Sequence, residues 1–340
     1  MDIPQRRLKF TSDRLLCGTL HASFLSNALR AMPRLRSVHL EAYCQGVHGV
    51  GWDSIAAILS VPQLRSFDLM TFLLCPRAAP SEAQADSDAL APITTFRYDQ
   101  AVLRSFLCTY PTQQDTLEFI LTRLHHSLES LLLPSEITPV AVLSQNQWPR
   151  LRELSLRGEF CLAAGYPTPL ASLFSGMSGL RILTLRFSLP DEVNRKQLML
   201  WPEGYESRLP WPHLESLTLS FPDPEDRIFS HLPPSLRRLS LRCTPHHYLH
   251  VWKPREYSHY DSPILYSSEM LEILTKISAP LLDSLQLEYL ADDADDDLLR
   301  CIADRFPSIQ CLEIQRFLAS RNEPVPMVSS AVPSSCPYRF

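Results

Sequence analysis

The sequence feature that most constrains the fold is a short phrase, Pro-x-Leu-x-x-Leu-x-Leu, that recurs along the chain. It is clearest at 148–156, which reads Trp-Pro-Arg-Leu-Arg-Glu-Leu-Ser-Leu, and it returns at 211–219 as Trp-Pro-His-Leu-Glu-Ser-Leu-Thr-Leu. Apolar residues at alternate positions face one side of a strand, so each phrase predicts a short strand with one buried face. The chain is therefore expected to be built from repeated short strands.

Ten copies of the phrase are recognisable, at irregular intervals of which the longest separates Leu236 from Leu282. The first apolar residues of the copies are Leu35, Leu64, Ile93, Leu128, Leu151, Leu180, Leu214, Leu236, Leu282 and Ile309. A degraded eleventh unit is predicted to end near residues 8–10. Helical spacing of apolar residues fills several of the intervals, at 16–29, 52–59, 116–124, 170–174, 267–277 and 294–306.

A strand followed by a helix at this spacing makes a right-handed crossover to a parallel neighbour. Units of this kind stack along one axis into a solenoid. We therefore predict an α/β fold with a parallel sheet on the concave face and helices and loops on the convex face. Residues 1–318 are predicted to form one solenoid of ten to eleven irregular units, with insertions near 190–210 and 244–263. The Pro-, Ser- and Val-rich segment 319–340 is predicted to be a disordered tail.

The phrase Leu-x-x-Leu-x-Leu within these steps resembles the leucine-rich repeat. The proline openings and irregular periods are similar to the repeat regions of fungal F-box/leucine-rich-repeat proteins, over about residues 8 to 317. This resemblance implies a horseshoe-shaped solenoid that recognises substrates for a ubiquitin ligase, with ligase components among its partners. The asparagine of regular repeats is missing throughout, and no F-box-like segment is evident before the repeats.

The composition disfavours nucleic acid and membranes as partners of this chain. The net charge of −5 and the isoelectric point near 6.1 provide no overall attraction to nucleic acid or anionic membranes. The longest apolar run, 69–75, is too short to span a bilayer, and the first residues lack the apolar stretch of a signal peptide. Nine cysteines without a CxxC pair favour reduced thiols over disulfides or a zinc site. We expect a protein partner in the cytoplasm or nucleus.

Motifs for catalysis or cofactor binding are lacking, so we predict a non-catalytic chain without a cofactor. The glycines at 46–51 follow the order G-x-x-G-x-G and no Lys-Ser/Thr follows, which favours a repeat loop over a phosphate loop. The acidic run Asp292 to Asp297 precedes a helical segment, where carboxylates offset the helix dipole. Calcium binding is disfavoured because the loop glycine and distal glutamate are missing.

The segment 244–263 concentrates histidines and aromatic residues. It holds His246, His247, His250 and His259 together with Tyr248, Trp252, Tyr257 and Tyr260. Three interpretations stay open: a metal site, which needs three or four ligands in a tetrahedron, an aromatic contact loop, and a loop folded back on the solenoid. The contact loop is the basis for predicting Tyr248, Trp252, Tyr257 and Tyr260 as partner-binding residues.

Strand alternation also predicts which side chains line the concave face. Small hydroxyl residues dominate these positions, and four arginines gather in the middle and late units: Arg157, Arg186, Arg238 and Arg242. Because arginine binds carboxylate or phosphate through paired donors, these four are predicted to bind an acidic or phosphorylated partner. The alternative is that they are solvated surface arginines.

Three classes of function follow from these features. The first is a protein-interaction module that recognises substrates for a ubiquitin ligase. The second is a leucine-rich-repeat scaffold with no ligase connection. The third and least favoured is an enzyme with an unrecognised site.

Overall fold

The strands of the chain belong almost entirely to one large sheet. The computed structural model describes residues 22–41, 49–76, 78–80, 90–99, 109–160, 166, 169–190, 195–205, 211–242, 260–261 and 264–318. The strands are β1 Ser37–Glu41, β2 Gly49–Val50, β3 Ser66–Met70, β4 Leu73–Leu74, β5 Thr95–Asp99, β6 Ser130–Pro134, β7 Glu153–Glu159, β8 Ile182–Pro190, β9 Ser216–Leu219, β10 Arg238–Leu241, β11 Tyr260–Asp261, β12 Leu265–Tyr266, β13 Ser284–Ala291 and β14 Cys311–Leu318.

Each of the ten predicted repeat units supplies one strand to this sheet. The strands β1, β3, β5, β6, β7, β8, β9, β10, β13 and β14 follow one another as parallel neighbours. The registers match the repeats residue by residue, so that Leu154 of β7 pairs with Leu131 of β6 and Leu183 of β8. The prediction of an α/β leucine-rich-repeat solenoid with a parallel sheet is confirmed.

Helices fill the intervals between strands. They are α1 Ala22–Arg30, α2 Trp52–Leu59, α3 Tyr110–Leu124, α4 Val140–Gln145, α5 Ile228–His231, α6 Ser267–Lys276 and α7 Asp295–Arg305. Helix α3 begins at Tyr110, earlier than the start predicted at Thr116, because Pro111 occupies its first turn, where a missing N–H is harmless. Within the described part of the chain, no helix combines the length and apolarity needed to cross a bilayer.

The core lies between the sheet and the helices. The second and fourth residues of the central strands enter it, and Leu154 and Leu156 of β7 are 0% exposed. The two tryptophans that open repeat phrases, Trp148 and Trp211, are also fully buried. The indole N–H of Trp148 donates to the carbonyl of Leu143 at 3.1 Å, which satisfies its one polar atom inside the core.

The structure describes residues 195–205 of the insertion that is predicted near 190–210. Trp201 is only 2% exposed and belongs to the core. The carboxylate of Asp226 accepts hydrogen bonds from the backbone N–H groups of Leu200, at 2.7 Å, and Trp201, at 2.9 Å. An apolar run, Leu198 to Trp201, can therefore be buried although its neighbours in sequence are charged.

The second insertion lies between two strands, β10 and β12, that pair with the same edge of β13. Strand β14 covers the whole of β13 on one side, and the other side is shared by β10, paired with residues 284–287, and β12, paired with 289–290. Arg242 and Leu265 thus occupy consecutive register positions beside β13. The segment 243–264 has 22 residues and therefore accounts for nearly half of the 46-residue step between Leu236 and Leu282; without it the step would be 24 residues, close to the shortest steps elsewhere in the chain.

Some sequence predictions fall outside the described residues. These are the degraded unit at 8–10, the glycines before Gly49, the histidine cluster at 246–259 and the tail 319–340. Strand β11 belongs to the returning part of the second insertion and pairs antiparallel with Leu189 and Pro190 at the end of β8.

Candidate partner-binding face

Ten in-register strands align their alternate side chains into three rows on the sheet face that is turned away from the core, which we call the inner face. Row one is Ser37, Ser66, Thr95, Ser130, Glu153, Ile182, Ser216, Arg238, Ser284 and Cys311. Row two is His39, Asp68, Arg97, Leu132, Ser155, Thr184, Thr218, Ser240, Gln286 and Glu313. Row three is Glu41, Met70, Asp99, Pro134, Arg157, Arg186, Ser220, Arg242, Glu288 and Gln315.

The structure brings three of the four predicted arginines together. Arg157 and Arg186 are direct register partners in row three, and Arg242 follows β10 in the same row. Arg238 lies in row one, four residues before Arg242, which puts its Cα about 13 Å away along the strand. Sequence alternation predicted the face correctly, and the register separates Arg238 from the other three.

Carboxylates engage two of the clustered arginines. A guanidinium nitrogen of Arg157 lies 3.4 Å from Oδ2 of Asp99, and one of Arg242 lies 2.6 Å from Oε1 of Glu313. Asp99 lies on β5 and Glu313 on β14, so each arginine reaches across an intervening strand, away from Arg186. The predicted patch is therefore partly neutralised at its two ends.

Arg186 occupies the middle of the row and differs from its neighbours. Among the described residues it has no hydrogen-bond or ion-pair partner, and its buried Nε lacks an acceptor. Partial burial lowers the pKa of this guanidinium, and the positive charges of Arg157 and Arg242 lower it further. The positions of rows one to three on β8 and on its neighbour β9 hold no carboxylate. They are Ile182, Thr184 and Arg186 on β8, Ser216 and Thr218 on β9, and Ser220 directly after β9.

Small hydroxyl side chains form the floor beside these arginines. Ser155, Thr184, Thr218 and Ser240 occupy adjacent positions of row two. Nε of Arg157 donates to the hydroxyl of Ser155 at 3.3 Å. The hydroxyl of Ser240 is buried and has no hydrogen-bond partner among the described residues. The small side chains of row two thus form a surface that is bordered by the guanidinium groups of row three.

The end of the inner face nearer β1 carries its own charge network. The ring of His39 lies 3.2 Å from a carboxylate oxygen of Glu41 and 3.7 Å from one of Asp68, and Arg97 lies 3.9 Å from Asp68. These side chains are partly exposed, so the pairs contribute little to stability and mainly order the surface.

A buried carboxyl group, not predicted from the sequence, lies next to the inner face. Glu136 follows β6, and its Oε1 accepts the backbone N–H of Glu159 at 2.5 Å, while Oε2 has no hydrogen-bond partner in the part of the chain that the structure describes. Burial and, to a smaller extent, the charges of Glu159 and Asp99 raise the pKa of the Glu136 carboxyl to about 8, against the lowering effect of the backbone hydrogen bonds that it accepts. Gly158, with φ of +118°, leaves the space that this carboxyl fills, because a Cβ there would collide with it. No local motif signals the pair, since Glu136 and Gly158 belong to different repeats.

The acidic run before α7 has structural partners. Asp292 accepts from the backbone N–H of Ala294 at 3.0 Å and from the hydroxyl of Ser268 at 2.5 Å, and these contacts lower the pKa of its carboxyl. Asp295 accepts from Arg316 at 2.7 Å and from the hydroxyl of Tyr289 at 2.8 Å. Asp295, Asp296 and Asp297 lie in the first turn of α7, which has no side-chain capping hydrogen bond, so the offset of the helix dipole by these carboxylates stays a prediction.

The remaining predicted site residues belong to the second insertion. Tyr248, Trp252 and Tyr257 lie outside the described residues, and of Tyr260 the structure describes only the backbone pairing with β8. Within the described ranges, no group of three His, Cys, Asp or Glu side chains is arranged to hold a metal ion. The cysteines in those ranges, Cys75, Cys301 and Cys311, do not form disulfides.

Comparison with known proteins matches this chain to solved structures. No protein-family model matches the chain, and no curated protein does. Among solved structures, it is similar to the crystal structure of the Rad7 and Elc1 complex in yeast, with 17% sequence identity and a TM-score of 0.43. The similarity covers 85% of this chain and 72% of that chain.

Proposed function

We propose that this chain is a non-catalytic interaction module that holds a protein partner on its inner face. The observation that carries the proposal is the continuous three-row surface formed by ten in-register strands. Its floor of small hydroxyl groups lets a partner backbone approach closely. Its arginines supply the donor-rich side chains that are enriched in protein interfaces. The partner is proposed to be acidic or phosphorylated.

The four aromatic residues of the second insertion remain part of the proposal as predictions. The backbone of Tyr260 and Asp261 pairs with the end of β8, shortly after Arg186 on that strand. The insertion is thus attached to β8 a few residues after Arg186. This attachment supports a joint role of its aromatic residues and the arginines in partner binding.

Substrate recognition for a ubiquitin ligase is the more specific form of this function. It is supported by the resemblance of the proline-opened repeats to those of F-box/leucine-rich-repeat proteins. A scaffold without a ligase connection is the competing form. Affinity purification with mass spectrometry separates the two, because cullin-type ligase components should be recovered with the chain only in the first case.

The inner face itself is tested by blocking it. Thr184→Trp places a bulky ring in the middle of row two, between Ser155 and Thr218. Partners that contact this face should be lost from the purification. Thr122→Trp, at an exposed position of α3 on the opposite side of the sheet, is the matched control and should retain them.

Both variants should keep the wild-type circular dichroism spectrum and melt within a few degrees of the wild type. If Thr184→Trp retains every partner that the wild type captures, the inner face is not the binding surface. If Thr122→Trp loses the same partners, the contact lies on the helical side and the proposal is equally wrong.

A further inference from the structure

A set of exposed arginines lies at the edge of the sheet where the strands begin. In most units a four-residue turn precedes the strand, and in the first unit the backbone N–H of Leu35 closes it by donating to Met32 at 3.0 Å. Proline occupies the second position of this turn, which suits its fixed φ. In the first and fifth units the third position is an exposed arginine, Arg34 or Arg150.

The residue directly before each strand extends the ladder by one more row, which we call row zero. The carbonyl of Arg36, for example, accepts the N–H groups of Arg65 at 2.8 Å and Ser66 at 2.9 Å in the next unit. Row zero is Arg36, Arg65, Thr94, Glu129, Arg152, Arg181, Glu215, Arg237, Asp283 and Gln310. We define the basic rim as the arginines of these turns and of row zero in the first six units, which are Arg34, Arg36, Arg65, Arg150, Arg152 and Arg181.

Guanidinium groups of the basic rim bind backbone carbonyls. Arg36 donates to the carbonyl of Gln63 at 3.0 Å, and Arg152 donates to that of Gly179 at 3.2 Å, each in the next unit. Arg65 donates to carbonyls of its own turn. A neutral carbonyl engages one of the five guanidinium donors and leaves the positive charge uncompensated. These side chains are therefore held in place while their charge stays available to an anion.

Later units fill row zero with ion pairs instead. Arg181 lies 3.3 Å from Oε1 of Glu215, and Arg237 lies 3.8 Å from Oδ2 of Asp283, each pair joining neighbouring positions of the row. The fold can therefore place a carboxylate beside such an arginine. In the turns and row-zero positions of the first six units, Glu129 is the one acid among the described residues, and it forms no ion pair with them.

The strands run from the basic rim to an acidic edge. Glu41, Asp99 and Glu159 are the last residues of β1, β5 and β7, and Asp292 and Asp293 follow β13. Along β7 the two edges are about 20 Å apart, more than the Debye length of about 8 Å at physiological salt. The basic rim is therefore expected to attract anions although the whole chain carries a net charge of −5.

The dimensions and lining of the basic rim select among anionic partners. Neighbouring strands are about 4.8 Å apart, so Arg36 and Arg181 span about 24 Å, the length of roughly seven extended residues. Single-stranded nucleic acid is usually bound with aromatic stacking platforms, and the described turns of the rim expose no Phe, Tyr or Trp side chain. Carboxylates need only the guanidinium donors that the rim supplies.

We propose that the basic rim binds an acidic segment of a partner protein, extended along the strand starts. The rim offers two groups of three arginines, one in the first two units and one in the fifth and sixth, separated by Thr94 and Glu129. It is a second surface, at the edge of the sheet rather than on the inner face. The inference therefore stands whether or not the inner face binds a partner.

The probe is a fluorescein-labelled octaglutamate, measured by fluorescence anisotropy with the full chain at low salt. Octaglutamine and a random single-stranded oligonucleotide of matched length are the comparison ligands. Octaglutamate should bind about tenfold more tightly than octaglutamine, a difference equal to about 1.4 kcal/mol. Added salt should weaken its binding, because exposed charges are screened.

Arg150→Gln should lower octaglutamate affinity about threefold, and the addition of Arg34→Gln should bring the loss to about tenfold. Neither side chain has a hydrogen-bond partner in the described part of the chain, so both variants should fold as the wild type does. Glu129→Arg joins the two groups of arginines and should tighten binding about threefold or more. Arg300→Gln, at an exposed position of α7, is the control and should bind as the wild type does.

Equal binding of octaglutamate and octaglutamine overturns the inference. An equal loss in Arg150→Gln and Arg300→Gln also overturns it, because overall charge would then explain the binding. Tighter binding of the oligonucleotide, lost in the rim variants, identifies a nucleic-acid site instead. Thr184→Trp should keep octaglutamate affinity, and a loss there would place the peptide on the inner face. Unchanged affinity in Glu129→Arg contradicts the proposed path along the rim.

Discussion

At the scale of single residues, the least expected feature is a carboxylic acid that is kept neutral inside the fold. Glu136 is 6% exposed, and within the described ranges one of its two oxygens lacks a hydrogen-bond partner. Gly158 provides the space for it at a backbone conformation that side chains other than glycine rarely adopt. Charge and shape at this position are therefore set by two residues from neighbouring repeats acting together.

This arrangement predicts a pH-dependent stability. Below about pH 4.5 the Glu136 carboxyl is protonated in both folded and unfolded chains, whereas its folded pKa is about 8. Between these values only the unfolded chain releases the proton, so this group makes the free energy of unfolding fall as pH rises, by about 1.4 kcal/mol per unit of pKa separation. Above the folded pKa its contribution is constant.

Glu136→Gln removes this titration while keeping the size of the side chain. The variant should gain stability relative to the wild type as pH rises from 5 to 8, measured by urea unfolding at several pH values. Glu118→Gln, at an exposed position of α3, is the control. Parallel curves for wild type and Glu136→Gln across this range would show that the carboxyl is not held in its neutral form.

At the scale of secondary structure, the repeat phrases predict the strands and their pairing, whereas the segments between the phrases do not predict their own contacts. Alternating leucines, as at Leu154 and Leu156, are sufficient to predict each strand, its buried side and its neighbours, because parallel register follows the repeat. The phrase cannot predict that Asp226 binds the backbone of Leu200 and Trp201, because these residues are distant in sequence. Ion pairs between distant repeats, such as the one that joins β10 and β14, are likewise invisible to local patterns.

The pairing of both β10 and β12 with one edge of β13 allows a direct test of whether the sheet needs the insertion between them. A variant lacking 243–264 joins Arg242 to Leu265 at consecutive register positions beside β13, so the hydrogen bonds of both strands can be kept. We expect this variant to fold, with circular dichroism like that of the wild type and a cooperative thermal transition. A matched deletion of equal length, 265–286, removes α6 and part of β13 and should abolish the transition. Failure of the first deletion to fold would mean that the insertion is required for the sheet.

At the scale of the whole molecule, the solenoid transmits contacts mainly between neighbouring units. The central strands are covered on both sides, whereas β1 pairs only with β3 among the described strands. The core positions of β1, Val38 and Leu40, are only partly buried, in contrast to Leu154 and Leu156. Stability is therefore expected to be lowest toward that end of the described sheet.

Amide hydrogen exchange can measure this gradient. Peptides covering β1 should exchange faster than peptides covering β7 under native conditions, because local opening costs less where fewer apolar contacts are lost. Strand β3, which is paired on both sides, is the reference near the same end. Uniform protection of β1, β3 and β7 would instead indicate that the sheet opens as one cooperative unit.

The placement of β10 and β12 end to end along one edge of β13 has a consequence for how this chain can be produced. Two polypeptides, one ending just after Arg242 and one starting just before Leu265, would each retain the strands needed to recognise the other, since β10 and β13 form the shared interface. Co-expressed halves are expected to reassemble without a covalent link. The break would then offer two free ends, close to Arg186 and Arg242, for attaching a reporter.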